Sequence, residues 1–333
     1  MARTKLRWGV LSAAKIGRTK VIPAMQKGER CEVTAIASRE LATAKAAAET
    51  LGIPKAYGSY EKLLADPDVD AIYNPLPNHL HVPWSILAAR AGKHVLCEKP
   101  IGLSSAECRA LMDVRDETKV VIGEAFMVRT HPQWLRTRDL VRSGELGELR
   151  SIVSAFSYFN RDPQNIRNMP GIGGGALMDI GCYPIQISRF LFETEPVRCV
   201  AAVDRDPDFG TDRLTSGLLE FASGHSVFSC STQLAPYQTV QILCTKGRIE
   251  IEIPFNAPPD RPCRIFIDDG RDVFGTGRRM ESIDTCDQYT IQGDAFSAAV
   301  LDGTEVPTPL EDSLGNMLVI EALFASAKQA GNR

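Results

Sequence analysis

Arg7-Trp8-Gly9-Val10-Leu11-Ser12-Ala13-Ala14-Lys15-Ile16-Gly17 sets the reading of this chain: an apolar β-run, a turn of small residues, then a helical pattern to Met25. Working outward, the rhythm repeats. Glu32 to Ala37 is strand-like, and the alanine-rich stretch Leu41 to Leu51 that follows is a strong helix former. Ala56-Tyr57, Val69 to Tyr73, His94 to Cys97 and Val120 to Ile122 supply further strands. Helices fall between them, one capped by Ser59, one over Val82 to Ala91, and one capped by Ser104 or Ser105. Repeated β-α-β units with short joints predict an α/β domain with a doubly wound parallel sheet over residues 1–125.

The pattern then changes. Leu149 to Phe159, Val197 to Val203, Leu214 to Phe221, His225 to Thr232, Thr239 to Cys244 and Arg248 to Ile253 follow one another with turn residues between most of them. Only the helical stretch Ala176 to Phe192 interrupts them, and a helix from Ser313 to Ala330 closes the chain. Consecutive strands without intervening helices predict an α+β domain with a mostly antiparallel sheet over residues 126–333.

Composition narrows the function classes. With 333 residues and 44% hydrophobic content the chain is long enough for about two cores. A net charge of −3 lacks the basic footprint of a nucleic-acid binder. No apolar run has the length of a membrane span, and the basic N-terminus runs straight into a strand. A cytoplasmic protein is expected. The nine cysteines contain no C-x-x-C pair, and His79-x-His81 has no third ligand nearby, so neither a disulfide framework nor a metal site is expected.

The turn Ser12-Ala13-Ala14-Lys15-Ile16-Gly17 occupies the place of the dinucleotide fingerprint, whose three glycine positions here hold Ser12, Ala14 and Gly17. All three are small, so a pyrophosphate could reach the N–H groups that open the helix. The second strand ends at Ser38-Arg39, where an acidic residue would bond the ribose hydroxyl of NAD. A hydroxyl and a guanidinium suit the phosphate of NADP instead. NADP is therefore the expected cofactor, with NAD as the alternative.

Three further residues carry chemistry. Pro100 cannot donate to a ladder, so the strand before it should stop at Lys99 and leave an ammonium at a carboxyl end, where open α/β sheets bind ligands. Asp179 and Tyr183 lie four apart, which on a helix puts them on one face. Each has a plainer reading: a solvated lysine, a carboxylate paired within its helix, a core aromatic. The triplet Gly173-Gly174-Gly175 ahead of them reads either as a flexible lead-in or as a place where backbone passes close to a ligand.

Glu98-Lys99-Pro100, Asn74-Pro75-Leu76-Pro77-Asn78-His79-Leu80-His81 and Gly173 to Pro184, together with Trp8 to Pro23, resemble the glucose-fructose oxidoreductase / inositol dehydrogenase family, within it the branch of xylose and dihydrodiol dehydrogenases. The resemblance implies a Rossmann domain followed by a large open sheet that packs between subunits of a homodimer or homotetramer. It also implies that Lys99 touches both nicotinamide ribose and substrate. Pro75, Leu76, Asn78, His81 and Glu98 should line the nicotinamide side of the cofactor groove, and Arg167 should reach the substrate. The activity implied is hydride transfer between C1 of a cyclic aldose and NADP; Tyr183 is the expected base, with Asp179 either orienting the sugar hydroxyls or holding Lys99 in place. The alternatives within this reading are a trans-dihydrodiol substrate, a sugar–sugar oxidoreductase that keeps its nucleotide, and a regulator that binds nucleotide or sugar without turnover.

Overall fold

The computed structural model describes residues 4–329 and residue 331. The expected helix end at Ala330 lies outside these. The described chain divides into two compact units, one running to Thr130 and including Asp287–Leu314, the other comprising His131–Cys286 and the chain from Gly315.

The first unit is built on six parallel strands: β1 (Leu6–Leu11), β2 (Cys31–Ala37), β3 (Lys55–Tyr57), β4 (Ala71–Asn74), β5 (His94–Glu98) and β6 (Ile122–Ala125). Their order is β3-β2-β1-β4-β5-β6, so the winding reverses between β1 and β4. The turns after those two strands, Ser12–Gly17 and Pro75–Asn78, therefore open at the switch point of the sheet, where such sheets take ligands. Ser59 Oγ accepts from Lys62 N–H (3.3 Å) and Ser104 Oγ from Glu107 N–H (3.2 Å), the expected caps. Glu107 in turn accepts from Leu103 N–H, one residue before the cap, at 2.7 Å, which further fixes the entry to this helix.

Asp287–Leu314 departs from the expected arrangement, in which everything beyond residue 125 belonged to the second domain. Its helix, Gln288–Asp302, packs on the first unit instead. Phe296 lies 5.3 Å from the Trp8 ring, Ser297 Oγ accepts from the indole N–H at 3.2 Å, and Asp294 accepts from the N–H groups of Glu29 and Arg30. Trp8 and Phe296 are both fully buried, so this strand–helix contact is part of the hydrophobic core.

The second unit holds eight strands: β7 (Leu149–Phe159), β8 (Arg198–Arg205), β9 (Asp212–Phe221), β10 (Gly224–Ser231), β11 (Gln233–Cys244), β12 (Arg248–Ile251), β13 (Cys263–Asp268) and β14 (Arg278–Ile283). They run in the order β14-β13-β12-β11-β7-β10-β9-β8, antiparallel except for the β7–β10 pair. Val153, Val200 and Val227 remain 37–39% exposed, so one face of the sheet is open. The strand pattern did not single out β13 and β14. β13 alternates buried Cys263, Ile265 and Ile267 with Arg264 and Phe266 but spans only six residues between prolines and Asp269-Gly270, whereas β14 is an edge strand whose residues are all at least partly exposed and show no hydrophobic period.

Candidate active site

In the first unit, the fingerprint turn works differently from its glycine pattern. Ser12 adopts φ +74°, the left-handed region that a first glycine would normally fill, and its Oγ accepts from Ala14 N–H at 3.2 Å. Gly17, at the fingerprint position where a glycine allows close helix–strand packing, has ordinary room: an added Cβ would stand 3.7 Å from the Tyr73 ring. The helix expected from Ile16 opens with an α-type bond from Arg18 N–H to Ala14 O (3.0 Å), widens into a π-turn over Gly17–Val21, and continues as α-helix over Ile22–Met25. Small residues with an open turn at the sheet's switch point fit a dinucleotide pyrophosphate, with Ala13, Ala14, Lys15 and Ile16 partly or fully exposed around it. Arg39 stands exposed beyond β2, beside the half-buried Ser38.

Around β4 and β5 the polar groups interlock. The Tyr73 hydroxyl, fully buried, donates to Glu98 Oε1 at 2.7 Å, and Lys99 N–H lies 3.4 Å from Glu98 Oε2. The Lys99–Pro100 peptide is cis. Asn74 accepts from Leu76 N–H and donates to His81 O and Ser85 Oγ, fixing the turn that carries Pro75, Leu76 and Asn78. His81 is 1% exposed, and its ring nitrogens lie 2.8 Å from Pro100 O and 2.6 Å from Leu76 O. Burial brings its pKa down to about 4 against the pull of the two carbonyls. Its observed contacts tie the β4 turn to the segment after Lys99. Tyr289 also belongs to this half: burial pushes its phenol up, Glu98 adds to this, and Lys99 opposes it. Nothing in the sequence pointed to Tyr73 or Tyr289, because their relation to Glu98 exists only in the folded unit.

In the second unit, the helical stretch bearing Asp179 and Tyr183 starts as another π-turn, Leu177–Gly181, before the α-helix Cys182–Phe192. A spacing of four therefore does not fall on regular α-geometry here; π-turns of this kind recur at functional sites. Asp179 is 8% exposed, and its Oδ2 accepts from the Tyr158 hydroxyl (2.6 Å) and Arg167 Nε (2.8 Å). Asp179 chiefly, then Tyr158 and Tyr183, raise the pKa of the Arg167 guanidinium and keep it charged. Tyr183, 6% exposed, packs its ring 5.8 Å from Phe156 and 5.5 Å from Phe255.

Two of the three glycines, Gly174 and Gly175, supply close backbone approach. An added Cβ at Gly174 would stand 2.6 Å from Met169 O and 2.7 Å from Arg167 O, and at Gly175, with φ +116°, 1.9 Å from Asp212 Oδ1. Gly175 N–H donates to Arg167 O at 2.8 Å, so this approach places the Arg167 turn against the start of the helix. Asp212, on β9 and 1% exposed, accepts from Leu177 N–H (2.7 Å) and Thr215 Oγ1 (3.0 Å), anchoring that start. Burial raises its pKa to about 6, opposed by those two hydrogen bonds. Asp212 went unnoticed in the sequence, since it is an ordinary strand residue until β9 brings it to the helix.

Residues 6–126 match the oxidoreductase family with an NAD-binding Rossmann fold, and residues 134–250 match the GFO/IDH/MocA C-terminal domain. The chain is 48% identical to an uncharacterized oxidoreductase of Rhizobium meliloti, covering 97% of each. It is 42% identical to a D-xylose 1-dehydrogenase (NADP(+)) of Haloferax volcanii, over 97% of this chain and 98% of the other. Among solved structures, a 3-ketoreductase from Actinomadura kijaniata, in complex with NADP and TDP-benzene, superposes with a TM-score of 0.88 at 30% identity over 97% of this chain and 98% of the other. The parallel six-stranded sheet with its phosphate turn, the largely antiparallel eight-stranded sheet and these matches agree: the chain belongs to the GFO/IDH/MocA family of oxidoreductases.

Proposed function

We propose that this oxidoreductase is an NADP-preferring aldose dehydrogenase, oxidising C1 of a cyclic pentose or hexose to the lactone. The observation that carries the reading is the buried Asp179 carboxylate, held by Arg167 and Tyr158 on the helical stretch that also presents Tyr183. A fixed carboxylate is an acceptor for sugar hydroxyls, and a phenol beside it is a proton carrier. The 42% identity to an NADP(+)-dependent D-xylose 1-dehydrogenase supports the same substrate class and cofactor. The exposed Arg39 supports a contact with the NADP phosphate.

The bound nicotinamide supplies the hydride acceptor. Ser12–Gly17 hold the pyrophosphate, Ser38 and Arg39 the adenosine end, and the segment bearing Pro75, Leu76, Asn78 and Glu98 the nicotinamide side, with His81 tying it to Pro100. Tyr183 takes the C1 hydroxyl proton. A free phenol, with pKa near ~10, is a poor base at neutral pH. An ammonium within ~4 Å at an effective dielectric of about 20 favours the phenolate by roughly 4 kcal/mol. That amounts to about 3 pKa units before desolvation opposes it. Lys99 is assigned this role, and Asp179 and Arg167 orient the sugar. The same reading assigns the open face of the second sheet to self-association into a dimer or tetramer.

Absorbance of reduced nicotinamide tests the proposal, with NADP or NAD and D-xylose, D-glucose, L-arabinose, D-galactose and a trans-dihydrodiol as partners. Signal with an aldose and NADP is expected. Tyr183→Phe and Lys99→Ala should each lower turnover by ~100-fold or more with nucleotide binding retained. Near-normal rates in both variants would overturn the mechanism, and silence across the panel would overturn the substrate class.

A further inference from the structure

Tyr158 lies outside the reacting groups, yet its setting is built around it. It is the second-last residue of β7, at an end of that strand where pairing with β11 is irregular: Ser157 pairs with Tyr237 but Phe159 with Gln233. Two extra residues of β11 therefore bulge opposite Tyr158, and Ser157 Oγ pins the bulge by donating to Ala235 O at 2.7 Å. Bulges of this kind re-aim a neighbouring side chain. Here the phenol reaches the helical stretch, 21 positions on, and donates to Asp179 Oδ2 at 2.6 Å.

Arg167 Nε donates to the same oxygen at 2.8 Å. Two donors from different segments, a strand end and a short turn, converge on one carboxylate oxygen. Both bonds are charge-assisted, and together they define the plane of the carboxylate more tightly than either does alone. The Arg167 turn is itself held by the backbone of Gly174 and Gly175. Its side chain is 43% exposed, so Arg167 is the clamp open to solvent beside the half-buried Tyr158.

We infer that Tyr158 is a positioning residue that, with Arg167, clamps one oxygen of Asp179 and thereby sets which sugar hydroxyl this carboxylate accepts. The inference rests on the aldose reading above and deepens it: selectivity among epimers and deoxy sugars would be set in part at a residue that takes no part in proton transfer.

Tyr158→Phe removes the hydroxyl and keeps the ring. Wild-type and variant enzymes would be compared on D-xylose and its 2-, 3- and 4-deoxy analogues, with KM for NADP and Tm measured alongside. The wild type should discriminate against one analogue most strongly. In the variant, KM for D-xylose should rise about tenfold, more than kcat falls, as expected for loss of a hydrogen bond to a charged group. The penalty for that one analogue should shrink while those for the other two persist, with KM for NADP and Tm unchanged. Arg167→Lys, which keeps the charge but loses the planar donor, should relax the same analogue. Unchanged discrimination in both variants, or a uniform loss across all sugars with a lowered Tm, would overturn the inference. If the wild type itself turns over no aldose, the parent reading falls and this one with it, and wild-type rates alone identify that case.

Discussion

His131 offers a quantitative test of how the second unit is held. It sits immediately before the helix Pro132–Ser143, where its Nδ1 accepts from Gln133 N–H at 3.2 Å, and its Nε2 lies 3.5 Å from Cys286 Sγ. The ring is 1% exposed, and burial lowers its pKa from 6.5 to about 4. An accepting Nδ1 cannot take a proton without losing the cap. Between those two values the unfolded chain binds more protons than the folded one. The stability linked to His131 is therefore complete above about pH 6.5 and is lost as pH falls toward about 4. Integrated from pH 7 to pH 5, the loss comes to about 2 kcal/mol. His131→Asn keeps a capping side chain and cannot titrate. Urea unfolding, followed by the fluorescence of the fully buried Trp134 on the same helix, would be measured at pH 7 and pH 5 for both proteins. The wild type should lose about 2 kcal/mol more than the variant over this interval, other titrating groups being common to both. Equal losses would refute the assignment of a buried, neutral, capping imidazole.

Gly175→Ala must accept a left-handed backbone and a Cβ 1.9 Å from Asp212 Oδ1, and is expected to destabilise the protein by about 3 kcal/mol or more, read by urea midpoint. A change below about 1 kcal/mol would mean that Asp212 does not anchor the helix. The cysteines should resist alkylation: Cys31, Cys97, Cys108, Cys182, Cys230 and Cys263 are buried, and burial pushes the thiols of Cys31 and Cys108 up to about 12. Iodoacetamide at pH 8 followed by peptide mass spectrometry should leave these six unmodified in the native protein, and fast labelling of any of them would contradict the described burial.

Much of the first unit was legible because its signals are local. Ser59 and Ser104 cap the helices they precede, and glycine-opened or proline-closed apolar runs mark the strands, since each depends on backbone a few residues away. The parallel, doubly wound character of the sheet followed from β-α-β alternation, whereas the order of its strands came only with the structure. The chemistry of Lys99, Asp179 and Tyr183 was visible as residue types beside breaks in secondary structure. Less legible were features whose partners are far away in sequence. The helix Gln288–Asp302 carries no sequence signal of where it belongs, and only its distant partners, Phe296 and Ser297 on Trp8 and Asp294 on Glu29 and Arg30, assign it to the first unit. Edge strand β14 carries no period to read, because an edge buries too little of either face.

By itself, the sequence determined the two-part architecture, the family and the residue types available for proton transfer, because periodicity, turn chemistry and contiguous motifs are properties of neighbouring residues. Tertiary structure decided the conformation of each of these groups. Ser12 takes the left-handed turn that its glycine-less motif concealed, and the helix bearing Asp179 and Tyr183 opens with a π-turn. Tyr158, Arg167 and Asp212, from three separate segments, hold that stretch. The physical reason is common to them: a hydrogen bond to a buried carboxylate is set by distance and direction in the folded unit, and neither quantity is written in the spacing of residues along the chain.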